Sequence, residues 1–139
     1  TSFDGGTNIL NAYAEGTWTP TITGSTGNPT PTYVAQVGNY VKIGKIVYVQ
    51  CLIQVSALTG GTGNIQVSGF PFTSATTTNE WHTFAGTVTN GGNLIRAVMR
   101  LQNNVTALTS ILTGDVSSLA LPQTGLTFII FSGCYIAST

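Results

Sequence analysis

Side-chain catalysis needs groups that ionise, and this chain of 139 residues has few: four Lys+Arg, four Asp+Glu and one His. The carboxylates are Asp4, Glu15, Glu80 and Asp115. A glycosidase requires two carboxyl groups about 5 to 9 Å apart, and Glu80 with Asp115 is the one pair worth entertaining. No Gly-x-Ser-x-Gly elbow is present, and His82 has no second His or Cys near it in sequence with which to bind zinc. We expect no enzyme, no metal and no cofactor. Cys51 and Cys134 both fall on the apolar phase of their strands, so both are expected to be small buried hydrophobes, joined in a disulfide only if those strands are neighbours.

Binding chemistry is better represented. A sugar site combines an exposed aromatic face, on which a pyranose ring stacks, with Asn, Gln, Asp or Arg beside it to take hydroxyl hydrogen bonds. Asn79-Glu80-Trp81-His82, at the exit of the polar loop SATTTN, offers that combination: Trp81 would stack and its neighbours would hold hydroxyls. The bland reading is that Trp81 packs on a domain edge or across subunits. Tyr33, in another turn-flanked segment, is a weaker second platform. Arg96 and Arg100 would contact an acidic polysaccharide, or else line a solvent face or bridge to Glu80 or Asp115.

Charged residues are 6% of the chain and the formal net charge is +0, against about 25% charged in an ordinary soluble domain. So few basic residues cannot form a stripe for nucleic acid or an anionic membrane. The longest apolar run, Leu126 to Phe131, is too short to span a bilayer, and the first residues are polar and Gly-rich rather than a leader. A neutral surface covered by Thr, Ser, Asn, Gln and Gly lacks charge repulsion, so part of it is expected to be buried against copies of itself.

The elements that would position these residues are strands. From Val47 every second residue is apolar (Val47, Val49, Cys51, Ile53, Val55), the period of a strand with one face on a core. Tyr40, Val41 and Ile43 form a short run before it, and Gly44-Lys45 turns one into the other. Thr1 to Gly16 reads as a connector, with one helical turn over Ile9 to Tyr13 capped by Asn8. Thr17 to Thr23 reads as a first strand that Pro20 places at a sheet edge, and Thr32 to Gln36 as a short second one. The Gly60-Gly61-Thr62-Gly63 run precedes the strand NIQVS and not a helix, so it is a connection and not a phosphate cradle. His82 to Asn90, Leu94 to Leu101, Val105 to Leu112 and Leu126 to Ala137 complete the set. The last is apolar on both phases, which places it centrally in a sheet or in a subunit interface. The pattern predicts a single all-β domain over residues 17 to 139, a β-sandwich and most plausibly a jelly roll.

Three motifs in order carry a resemblance: Glu15 to Pro20 (EGTWTP), Gln36 to Val47 (QVGNYVKIGKIV) and Ser68 to Phe72 (SGFPF), with the lead-in FDGGTN at Phe3 to Asn8. Together they resemble a C-terminal module of bacteriophage tail fibre and tail spike proteins. The resemblance implies a distal β-sandwich, assembled as a homotrimer behind an upstream fibre region. It would be made in the bacterial cytoplasm and carried on the virion, where it binds host polysaccharide or lipopolysaccharide. The alternative is a structural cap that folds and trimerises the fibre without touching the host. The resemblance also casts the matched residues as fold determinants: Gly38 and Gly44 in turns, Lys42 at the surface, Trp18 and Tyr40 in the core. No nucleic acid and no membrane insertion are implied.

Overall fold

The computed structural model describes residues 12–113 and 117–139. The carboxylates Asp4 and Asp115 and residues 9–11 of the expected helical turn therefore lie outside the described residues; Tyr13, the last residue of that turn, begins a strand instead. What is described is all-β: ten strands, of which eight form one antiparallel sheet and two a second, small one.

The frame is the hairpin of β3 (Thr30–Ile43) and β4 (Ile46–Thr59), turned at Gly44 and Lys45. Gly44 sits at φ 60°, the left-handed region that glycine enters without a Cβ penalty. The two runs expected before this turn, Thr32 to Gln36 and Tyr40 to Ile43, are one continuous strand. Its register slips between Thr32 and Ala35 and lets it bend without stopping. The apolar phase of β4 is buried as its period predicts: Val47, Val49, Cys51, Ile53 and Val55 all lie inside.

The segment expected as one strand over 17 to 23 is divided. Residues Tyr13–Trp18 form β1 at the edge of the large sheet, against β3, and Thr21–Gly24 form β2, paired with β5 (Ile65–Ser68) in the small one. The division falls at Thr19-Pro20, where the missing N–H ends the first ladder and the chain crosses to the second. Beyond β4 the large sheet continues through β10 (Leu126–Ile136), β6 (His82–Asn90), β7 (Asn93–Leu101), β8 (Ser110–Thr113) and β9 (Ser117–Ser118). The expected strand over 105 to 112 is ordered as a strand only from Ser110. Before that, Ser68 and Ala107 form an isolated bridge, the Ser74 amide donates to the Val105 carbonyl and the Leu108 amide to that of Val67.

The small sheet joins the two ends of the large one. On one side the Ile65 amide donates to the Leu119 carbonyl and the Leu121 amide to that of Gly63. On the other, the Ile22 amide donates to the Tyr33 hydroxyl and Gln36 Nε2 to the Pro20 carbonyl, at 2.8 Å each. One core results, lined by the inner phases of β4, β10, β6 and β7 and covered by Ile22, Ile65 and Val67.

An aromatic cluster fills its centre. Phe70 lies 4.9 Å from Trp18, 5.7 Å from Tyr135 and 6.0 Å from Phe131 between ring centroids, the separations at which offset and tilted aromatic pairs attract. The corner Gly69-Phe70-Pro71-Phe72 is thus packing. Gly38 is not in a turn: it faces inward in mid-strand, and a Cβ there would stand 2.8 Å from two carbons of the Trp18 indole. The glycine is needed because the indole lies flat against the backbone of β3. Lys42 is half-buried, its Nζ 5.4 Å from the Phe72 ring centroid and donating to the Gly44 carbonyl.

Candidate functional site

Loop residues 76 to 79 are exposed, and Asn79 adopts a left-handed conformation at φ 64° that Asn tolerates better than most residues. The Glu80 amide closes this turn on the Thr77 carbonyl at 3.2 Å. The turn ejects Trp81 at the foot of β6, where it remains 49% exposed. From there β6 alternates: Thr83 and Ala85 face outward and Phe84 and Val88 inward.

His82 follows the inward phase. Its ring meets Tyr135 edge-on at 6.3 Å, and Nε2 is buried with no hydrogen-bond partner among the described residues. The two aromatic neighbours at the loop exit are therefore turned to opposite sides, Trp81 to solvent and His82 to the core.

Arg100 completes the outer group. It pairs across the ladder with Thr83, and its guanidinium carbon stands 5.3 Å over the Trp81 ring centroid. A cation over an indole is attracted by the ring quadrupole, by about 0.5–1 kcal/mol at an exposed site. Arg96 is exposed on the same strand face, four residues away and opposite Thr87. At about 3.3 Å per residue that places it about 13 Å from Arg100 along β7. The expected grouping of Trp81 with Arg96 is thus a grouping with Arg100 at its centre and Arg96 at its margin. Sequence alternation placed both arginines outward; it could not say which would meet the indole, since that depends on the β6–β7 register.

Tyr33 lies elsewhere, packed against the core from β3, with its hydroxyl accepting the Ile22 amide at 2.8 Å. Burial pushes this phenol above its ordinary range, partly offset by that backbone bond. Glu80 is half-buried beside Trp81, and Glu15 stands on β1, at the opposite edge of the large sheet from β7. Glu15 accepts a hydrogen bond from the Tyr13 hydroxyl, which holds that phenol's proton more firmly. Among the described residues no group of three His, Cys, Asp or Glu side chains could hold a metal ion, and no helix is long and apolar enough to cross a membrane.

One cysteine meets expectation and one departs from it. Cys51 is buried and Cys134 exposed, both as free thiols. Their strands are indeed neighbours, but Cys51 pairs with Phe131 and Cys134 with Tyr48, so the two side chains project from opposite faces of the sheet. A disulfide between them is excluded by the pleat.

A second group of polar residues lies near the β1 edge, in a shallow depression of ≈ 440 Å³ lined by Glu15, Thr17, Asn39 and Tyr40 among others. Asn39 Nδ2 donates to Gln50 Oε1 at 2.9 Å beside it. Sequence reading missed this group because its lining residues belong to two separate motifs, EGTWTP and QVGNYVKIGKIV, that only the β1–β3 register sets side by side.

Comparison with family models, with curated proteins and with solved structures gave no match to this chain.

Proposed function

We propose that this chain is the distal module of a bacteriophage tail fibre or tail spike, which binds host-surface glycan, a polysaccharide or lipopolysaccharide. In this reading it is a homotrimer of β-sandwich subunits, the eight-stranded and two-stranded sheets serving as the two layers. It sits on the virion behind an upstream fibre region and performs no catalysis. The observation that carries the binding half is Trp81. The other tryptophan, Trp18, is 7% exposed and packed on Phe70 in the aromatic cluster, whereas Trp81 is 49% exposed. An indole left in water forgoes stabilisation of about 2 kcal/mol, and with an arginine and a polar loop beside it the arrangement has the form of a sugar-stacking platform. A weak single site becomes useful when three copies sit on one fibre.

A specific observation also favours the second reading, a structural cap. The outer face of the large sheet carries Val37, Ile43, Ile46, Tyr48, Val98 and Ile130, all substantially exposed. Val37, Leu52 and Ile130 stand in one cross-strand row, so the apolar surface is continuous over three strands, the kind of patch that marks an interface between subunits.

The two readings separate in one experiment. Light scattering first fixes the number of chains in the assembly, and the assembled protein is then applied to host and non-host cells and to a glycan array. Selective binding that Trp81→Ala abolishes while the trimer persists supports the receptor-binding module. A stable trimer that retains no glycan and stains no cell leaves the structural cap; a monomer overturns both.

A further inference from the structure

In a chain so poor in charge, the two arginines of β7 share one outward face. Among the described residues neither guanidinium forms an ion pair or donates a hydrogen bond. Arg100 is nevertheless held in place, because the Trp81 ring lies under it at 5.3 Å. A stacked guanidinium loses rotamer freedom to the ring but keeps its five N–H donors, since the ring face accepts none of them as a hydrogen-bond acceptor would. Such a fork matches the paired oxygens of a carboxylate or a phosphate and binds them with two parallel charge-assisted bonds.

We infer that the glycan taken at Trp81 is anionic, and that Arg100 binds its carboxylate or phosphate while the exposed part of the indole stacks on the adjoining sugar ring. The inference rests on Trp81 being a glycan platform. Arg96, about 13 Å along the strand, extends the same positive face, so the ligand that engages both arginines is an acidic oligosaccharide and not a single sugar. Thr83 and Thr87, cross-strand partners of Arg100 and Arg96, offer hydroxyls between them. Glu80 is the one carboxylate next to Trp81 in sequence.

The test is an array of bacterial surface oligosaccharides in three classes: bearing uronic or ulosonic acids, bearing phosphate, and neutral. The intact assembled protein is expected to retain members of the charged classes. Carboxyl reduction or enzymatic dephosphorylation of a retained glycan then weakens binding by about tenfold or more, and which treatment does so identifies the anion. Arg100→Gln gives a loss of the same size, and Arg100→Lys, which keeps the charge but not the fork, falls between. Arg96→Gln weakens only the longer oligosaccharides, and retention of all of them declines with added salt. Folding of each variant is checked by thermal unfolding, and the lysine variant serves if the glutamine one fails to fold.

If the retained glycans are neutral, or if charged ones bind Arg100→Gln and Arg100→Lys as tightly as the parent, the anion inference is overturned while Trp81-dependent glycan binding stands. Retention of no glycan by the parent protein overturns both.

Discussion

On β10, Ile129, Phe131 and Tyr135 turn to one side of the large sheet and Ile130, Ser132 and Cys134 to the other. The inner three meet fitted partners: Phe131 stacks on Phe70 with an interplanar angle of 16°, and the Phe84 ring centroid is 5.7 Å away. The outer three meet water, although Ile130 is as apolar as Ile129. Alternation alone gives a strand two faces, and what distinguishes them here is shape. Glycines at 38 and 133 leave room on the inner side for the rings of Trp18 and Phe84 to lie against backbone, and Gly86 for the Met99 methyl; among the described residues no such fitted cover lies over the outer side.

The largest effect expected from this difference comes from truncating the inner face. Phe131→Ala should cost about 3–5 kcal/mol, the transfer free energy of the ring plus the cavity it leaves, whereas Ile130→Ala next to it should cost about 1 kcal/mol or less in the isolated subunit. Urea unfolding at a protein concentration that dissociates any assembly measures both. Equal losses would mean that the outer face is as closely packed as the inner. Gly38→Ala should follow, at about 1–3 kcal/mol, because the new methyl meets the Trp18 indole; a neutral result would show that β1 moves aside freely.

Tyr135→Phe probes the polar edge of the inner face. The Tyr135 hydroxyl donates to the Phe72 carbonyl at 2.8 Å and accepts the Phe72 amide at 3.3 Å, so its removal strands two backbone groups and should cost about 1–2 kcal/mol. Burial pushes this phenol from 10.0 up to about 12, partly offset by the bond to Phe72. The native state then keeps a proton that the unfolded chain releases near pH 10. The associated stability is intact below pH 10 and is lost as pH rises toward 12. Alkaline denaturation of Tyr135→Phe should show a shallower fall across that window; an unchanged slope would place the proton elsewhere. The smallest perturbation is chemical. A thiol reagent should label Cys134 in the native protein and reach Cys51, whose thiol desolvation pushes up, only on unfolding. Labelling of both thiols in the native state would break the distinction between the faces.

How far the fold could be read from the residues follows the same line. On β4 one phase is apolar and the other mixed, so the buried set was legible in full. The β6–β7 hairpin was equally plain, with glycines at the turn and arginines on one phase. On β10 both phases are apolar, so the period cannot say which face is inside, and Cys134 was assigned to the wrong one. Gly38 misled for a related reason: a glycine next to an asparagine resembles a turn, and its role as a seat for Trp18 is set by a strand 20 residues earlier in the chain. The polar loop before Trp81 left two readings open, an exposed platform or a packed edge residue, and both its exposure and its pairing with Arg100 came only with the structure, the latter from the register that sets β6 against β7.

The position of β10 has a consequence for how the chain comes to be folded at all. The last strand in chain order lies between β4 and β6 and pairs residues as distant as Ile46 and Ile136. While the chain is being synthesised, those two strands must wait with open edges until β10 emerges from the ribosome and fills the slot. Local hairpins form early, but closure of the core is slow and comes last. During that interval the nascent protein presents exposed strand edges and apolar surface, the features that draw chaperones or lead to aggregation.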